Sequence, residues 1–141
     1  MKIAIINGPN LNLTGNRETS IYGNQHFDDF LKHTRQKYPT LEISYFQSNV
    51  EGELINEIQK AGFETQGIIL NPGGYTHTSV AIGDAVAAIP VQVIEVHMSN
   101  IAAREEFRKI SYVSAKCTGT ITGFGLNSYD LALKYFIEQL S

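Results

Sequence analysis

The chain has 141 residues, 43% hydrophobic and 18% charged, with a formal net charge of -3, the balance of a soluble globular protein and not of a disordered one. That charge excludes the basic footprint of a nucleic-acid binder, and no window approaches the length of a membrane span. The single cysteine, Cys117, excludes an internal disulfide and fits a reducing compartment.

Met1-Lys2 leads into a short apolar run, Ile3 to Ile6, which breaks at Asn7-Gly8-Pro9-Asn10. That is one buried strand followed by a turn, and too little apolar sequence for a signal peptide, so a cytoplasmic protein is expected. A polar loop follows, with Asn10, Asn12, Arg17 and Glu18, and closes on Ile21-Tyr22-Gly23. Phe27, Phe30, Leu31 and Tyr38 then fall at helical spacing, stopped by Pro39. Leu41, Ile43 and Tyr45 alternate as a second strand. Ser48-Asn49-Val50-Glu51 reads as a capping box opening a helix through Leu54, Ile55 and Ile58, with Ala61-Gly62 as its end.

A third strand, Gly67 to Leu70, stops at Asn71-Pro72-Gly73-Gly74, and an alanine-rich helix is expected from about His77 to Ala88. Val91 to Val96, apolar but for Gln92 and Glu95, is suited to a central strand. It is followed by His97-Met98-Ser99-Asn100 and a polar connection holding Arg104, Glu105, Glu106 and Arg108. Thr120-Ile121 marks a fifth strand, ended by Gly123 and Gly125. A last helix from Ser128 to Leu140 is capped by Asn127.

Strands alternating with amphipathic helices imply a parallel sheet covered on both faces. Five such units in one domain spanning residues 1–141 point to a doubly wound, flavodoxin-like α/β fold of three layers, with strand order 2-1-3-4-5. Ligands of such sheets bind beyond the carboxyl ends of the strands. The ends of strands 1, 3 and 4 therefore bound one cleft.

Each of these ends carries candidate chemistry. The first offers Asn10, Arg17 and Tyr22. A tyrosine with an ordinary pKa of about 10 must fall by about three, or about 4 kcal/mol, to act as a base at neutrality, and a guanidinium within hydrogen-bonding range favours the phenolate. The third offers Asn71, His77 and a Gly73-Gly74 pair whose backbone N–H groups suit an anion. The fourth offers Glu95 and His97, two apart on a strand and so on one face. A carboxylate beside an imidazole fixes its tautomer and favours its charged form, which suits a general acid. Ser99 and Asn100 add donors for a carboxylate. Each element also has a plain structural role open to it: a surface tyrosine with a solvated arginine, ordinary turn glycines, a satisfied strand-end histidine, and a buried Cys117.

Four segments, GPNLNLTGNRETSIYG, QSNVEGELI, NPGGYTHTSVAI and EVHMSNIAAREEFRKISYVS, resemble in order and spacing the signatures of type II 3-dehydroquinate dehydratases. The resemblance implies conversion of 3-dehydroquinate to 3-dehydroshikimate by anti elimination of water, in the shikimate pathway or in quinate breakdown. It implies no metal, cofactor or Schiff base, and a homododecamer built as a tetramer of trimers.

Position by position, it makes Tyr22 the base and Arg17, in a mobile lid, its activator. Asn10 positions a water at the enolate oxygen. His97, oriented by Glu95, is the acid. Asn71, Ser99 and the backbone around Met98 hold substrate oxygens, His77 and Arg108 grip ring hydroxyls, and Asp84 reaches in from a neighbouring subunit. Thr14, Thr19, Ala102 and Lys109-Ile110 depart from the usual family residues, at positions without an assigned role.

A flavodoxin-like nucleotide- or flavin-binding module, a phosphoacceptor receiver and a nonenzymatic scaffold are the competing readings. Against them, Asn71 stands where a receiver needs an aspartate, and Asn7-Gly8-Pro9-Asn10 lacks the spacing of a dinucleotide loop.

Overall fold

The computed structural model describes residues 1–13 and 26–141. Among them, five strands form one parallel sheet: β1 (Lys2–Asn7), β2 (Glu42–Gln47), β3 (Gly67–Asn71), β4 (Gln92–His97) and β5 (Gly119–Thr122). Their order is β2-β1-β3-β4-β5, as expected. Four α-helices cover it: α1 (Phe27–Lys37), α2 (Glu51–Glu64), α3 (Val80–Ala87) and α4 (Asn127–Leu140).

The period of two along each strand builds the layers. Ile3, Ile5, Ile69, Ile94 and Val96 pack under α1 and α4 with Phe30, Leu31, Leu133 and Phe136. Ala4, Ile6, Ile68, Leu70 and Val93 face α2 and α3 with Leu54, Ile58, Ile82 and Val86. The central strands are therefore apolar on both faces, which is why Ile3 to Ile6 of β1, Ile68 to Leu70 of β3 and Val93-Ile94 of β4 read as hydrophobic runs.

Register brings the functional ends level. Asn7 pairs with Asn71 across β1 and β3, and Leu70 of β3 pairs with Glu95 of β4. Beneath the edge, buried polar groups lock the strand ends together. The Asn71 amide donates to Tyr129 Oη at 2.9 Å, and Tyr129 Oη donates to Asn7 Oδ1 at 2.8 Å.

Several element ends differ from the expectation set by local sequence. Ser48 does not form a capping box with Glu51; its Oγ accepts from Val50 N and donates to Glu53. Gly62 does not end α2, which continues to Glu64. A Cβ there would collide with Ile89, so this glycine lets α2 pack closely against the end of α3. The segment after β3 is a 3-10 turn, Gly73–His77, and α3 starts only at Val80, where Ser79 Oγ caps Ile82 N. Asn127 is the first residue of α4 and not its cap; Ser128 Oγ instead accepts from Phe124 N at 3.2 Å.

Candidate active site

The carboxyl ends of β1, β3 and β4 open onto a cleft of about 130 Å³. Its described lining includes Pro9, Asn10 and Leu11 after β1, Asn71, Gly73, Gly74 and His77 after β3, and His97, Met98, Ser99, Ile101, Arg104 and Arg108 after β4. By the measure in which one water needs about 10–15 Å³, that is room for roughly ten waters, the scale of a small organic ligand.

The wall after β1 depends on a glycine. Gly8 N donates to Asn71 O at 2.7 Å, and a Cβ on Gly8 would stand 2.6 Å from Pro72 O. No side chain fits between these two turns. Asn10 follows with φ of 69°, a backbone state rare outside glycine and most tolerated by Asn and Asp. It is held there by its neighbour strand: Asn10 N donates to Asn49 Oδ1 at 2.9 Å, and Gln47 Nε2 donates to Gly8 O and Asn49 Oδ1. The QSN motif thus fixes the Asn10 backbone, a long-range role that local pattern does not disclose.

After β3, Asn71 Oδ1 accepts from Gly73 N at 3.1 Å. The expected anion cradle is therefore corrected in part: one of the glycine N–H groups is already spent on Asn71, because that bond closes the turn. His77 Nδ1 meets the Ile110 carbonyl at 2.7 Å. A carbonyl only accepts, so Nδ1 carries the proton and Nε2 is the free face of the ring. Phe107 packs edge-on against that ring at 5.9 Å.

On β4, Glu95 and His97 share a face as the strand period requires. Glu95 is fully buried and His97 is 6% exposed. His97 Nε2 lies 2.5 Å from Glu95 Oε2, which leaves Nδ1 as the nitrogen open to chemistry. Burial by itself would push the Glu95 carboxyl up. Hydrogen bonds from His97, Ser114 and Thr76, with the nearby His97 charge, outweigh it and hold the group below the usual carboxylate range. Met98 buries its side chain in the core, 2% exposed, so only its backbone is left for the cleft.

The polar connection after β4 supplies two guanidinium groups. Arg108 Nε contacts Glu105 Oε2 at 2.5 Å, and Arg104 Nε lies 4.0 Å from the same oxygen. Arg104 Nη1 also donates to Ser99 Oγ at 3.3 Å. Glu105 thus holds both arginines in place, and its carboxyl is lowered chiefly by the Arg108 hydrogen bond. Arg104 received no role from sequence; its only signal is its place four residues before Arg108. No carboxylate lines the described cleft, while His77, His97, Arg104 and Arg108 do. The two guanidinium groups, though paired with Glu105, suit an anionic ligand in a protein of net charge -3.

Of the residues expected at the site, Asn10, Asn71, His77, His97, Met98, Ser99 and Arg108 border this one cleft, with Glu95 directly behind His97. Asp84 does not; it is exposed on α3 and is absent from the cleft lining within one chain. Arg17 and Tyr22, with Thr14 and Thr19, lie outside the described residues. Among the described residues no three His, Cys, Asp or Glu side chains gather as metal ligands, and no helix is long and apolar enough to cross a membrane.

Comparison with known proteins places this arrangement. Residues 1–137 match the family described as "Dehydroquinase class II". The chain is 53% identical to the 3-dehydroquinate dehydratase of Fusobacterium nucleatum, over 98% of this chain and 97% of that protein. It is also 53% identical to that of Caldicellulosiruptor bescii, over 99% and 97%. The crystal structure of the type II dehydroquinase from Butyrivibrio crossotus superposes with a TM-score of 0.93 at 45% identity, over 97% of both chains.

Proposed function

The chain belongs to the class II dehydroquinase family, and on that premise we propose that residues 1–141 act as one catalytic domain that dehydrates 3-dehydroquinate to 3-dehydroshikimate. The observation that carries the reading is the His97–Glu95 pair set in an arginine-lined cleft where β1, β3 and β4 end together. A nucleotide- or flavin-binding module has no need of a buried carboxylate committed to a histidine.

Elimination of water next to a ketone needs a base for the α-proton, stabilisation of the enolate, and an acid for the departing hydroxyl. Tyr22, as phenolate beside Arg17, takes the α-proton, and the electron pair moves onto the ketone oxygen. Asn10 holds a water against that oxygen. Among the described residues no bond commits the Asn10 side-chain amide elsewhere, while its backbone N–H is occupied. The enolate then re-forms the carbonyl and a conjugated carbon–carbon double bond as the C–O bond breaks. His97 gives its Nδ1 proton to the leaving oxygen, which departs as water, and solvent returns the proton from Tyr22 to His97.

Glu95 supports this step because it accepts the Nε2–H in both charge states of the ring. Arg104, Arg108, Ser99 and the Met98 backbone receive the substrate carboxylate and hydroxyls, with His77 and Asn71 on the facing wall. The described lining contains no lysine to form a Schiff base with the substrate ketone.

Assembly is part of the proposal. Val80, Phe107, Ile110 and Tyr112 are exposed apolar residues, 47–59% accessible, on and beside the helix that carries Asp84. A trimer packed on this face, four trimers to a dodecamer, brings Asp84 of one subunit to the cleft of the next. A cytoplasmic location completes the reading.

The test is ultraviolet absorbance on adding 3-dehydroquinate to the full chain. A conjugated enone is expected to appear, and to be lost in Tyr22→Phe with substrate binding retained. Activity is expected to survive borohydride with substrate present. A flat spectrum with the parent protein refutes the function, and a Tyr22→Phe variant keeping most of its kcat refutes the base.

A further inference from the structure

The motifs YTHTS and ISYVS contribute Thr76, Ser111 and Ser114, none of which touches the cleft; all three converge on the far side of Glu95. Thr76 Oγ1 lies 2.6 Å from Glu95 Oε2, the oxygen that also meets His97, and Ser114 Oγ lies 2.6 Å from Oε1. Thr76 Oγ1 is also 2.5 Å from Ser111 Oγ. Ser111 Oγ in turn accepts the N–H groups of Val113 at 3.1 Å and Ser114 at 3.0 Å.

Proton counting gives these contacts a direction. An ionised carboxylate only accepts, so Thr76 spends its one hydroxyl proton on Glu95. The Thr76–Ser111 contact must then use the Ser111 proton, and Ser111 satisfies its own oxygen with two backbone N–H groups. The result is a one-way chain, from backbone amides through Ser111 and Thr76 to Glu95, in a place where Thr76 is fully buried. Reversing it would leave a buried carboxylate short of a donor.

We propose that Thr76 and Ser111 are positioning residues for the acid step: their directed hydroxyl chain keeps Glu95 an acceptor, so that His97 holds a proton on Nε2 and presents Nδ1 to the substrate. The proposal rests on the assignment of His97 as the acid. The backbone supports the same geometry, since Tyr112 N donates to Thr76 O at 2.8 Å and fastens the 3-10 turn to the Ser111 segment. Among the described residues, the ionisable groups that face Glu95 are His97 on its own strand and the Cys117 thiol, which feels the Glu95 charge. From the cleft side, His97 shares its pocket with His77, Arg104 and Arg108.

Thr76→Val keeps the shape and removes the donor; Thr76→Ser keeps the donor. One hydrogen bond to a charged group corresponds to about one to two pH units in the protonation of its acceptor. In Thr76→Val the acid limb of the kcat profile is therefore expected to move up by about that amount. On that limb kcat should fall about tenfold or more, with KM little changed. Nitrogen NMR of the His97 ring in the substrate-free full chain should show that the proton on Nε2 is no longer held in place. Thr76→Ser should restore both, and Ser111→Ala should shift both in the same direction by less.

A Thr76→Val protein with a lowered Tm but the parental acid limb and the parental His97 spectrum overturns the proposal. If Thr76→Val does not fold, an unchanged His97 spectrum in Ser111→Ala overturns it. The NMR arm needs no turnover, so a parent protein inactive on 3-dehydroquinate would refute the dehydratase reading without deciding this one.

Discussion

Glu95→Gln tests the site at the place where most of its electrostatics meet. The carboxylate accepts from His97 Nε2 at 2.5 Å, Thr76 Oγ1 at 2.6 Å and Ser114 Oγ at 2.6 Å, and is fully buried. A glutamine has one oxygen in place of two, and its NH₂ is a donor facing donors. At least one of the three partners loses its acceptor, and the charge is gone. Breaking a buried pair by removing one partner costs about 3–5 kcal/mol. With an unfolding entropy of about 2.1 cal/mol/K per residue over 141 residues, Tm is expected to fall by about 10–17 °C.

The catalytic loss has a separate origin. Without the carboxylate nothing holds the imidazole with Nε2 protonated and Nδ1 turned to the cleft, so the acid is no longer positioned. A positioned general acid contributes about 10²–10⁴ in rate, so kcat should drop about 10²–10³-fold, or about 3–4 kcal/mol of transition-state stabilisation. Enone absorbance at saturating substrate, at a temperature where the variant is folded by circular dichroism, measures this directly.

The pH dependence carries its own sign. A carboxyl lowered in the fold contributes stability that is fully present above its unfolded value and lost as pH falls through the folded one. The parent should therefore lose Tm on the acid side of the ordinary carboxylate range, and Glu95→Gln should lose less over that window. A variant whose kcat stays within about threefold of the parent would refute the role given to Glu95.

Two further outcomes follow from single residues. The Cys117 thiol is pushed up to about 12 by burial and by the Glu95 charge, so iodoacetamide at pH 8.5 should modify the native chain at least tenfold more slowly than the urea-unfolded one; equal rates would show the thiol to be open. Gly8→Ala places a methyl 2.6 Å from Pro72 O and should cost about 1–3 kcal/mol and lower kcat, because the turns carrying Asn10 and Asn71 are forced apart. Gly52→Ala, with open space around it in α2, should be neutral or stabilising by up to about 1 kcal/mol; similar losses in both variants would mean that close approach at Gly8 is not the cause.

Much of this molecule is legible from local pattern. Apolar runs, ended after β1 by Gly8-Pro9 and after β3 by Pro72-Gly73, are short-range consequences of burial and backbone sterics, so β1 and β3, and β4 from its Val and Ile positions, can be placed without coordinates. The sheet order is the usual one for a doubly wound chain of five such units. The strand period alone puts Glu95 and His97 on one face.

What the sequence could not decide depends on partners far along the chain. Gly62 reads as a helix stop until Ile89 is seen against it. Asn49 has no visible purpose until it accepts the Asn10 amide 39 residues away. Arg104 is one of several charges in a polar loop until Glu105 and Ser99 hold it at the cleft. Thr76, Ser111 and Ser114 are ordinary hydroxyls until the fold gathers them behind one buried carboxylate. Periodicity and turn chemistry act over a few residues and leave a mark at each position; a hydrogen bond between distant segments leaves none, and only the packed chain shows which polar groups have been brought out of water together.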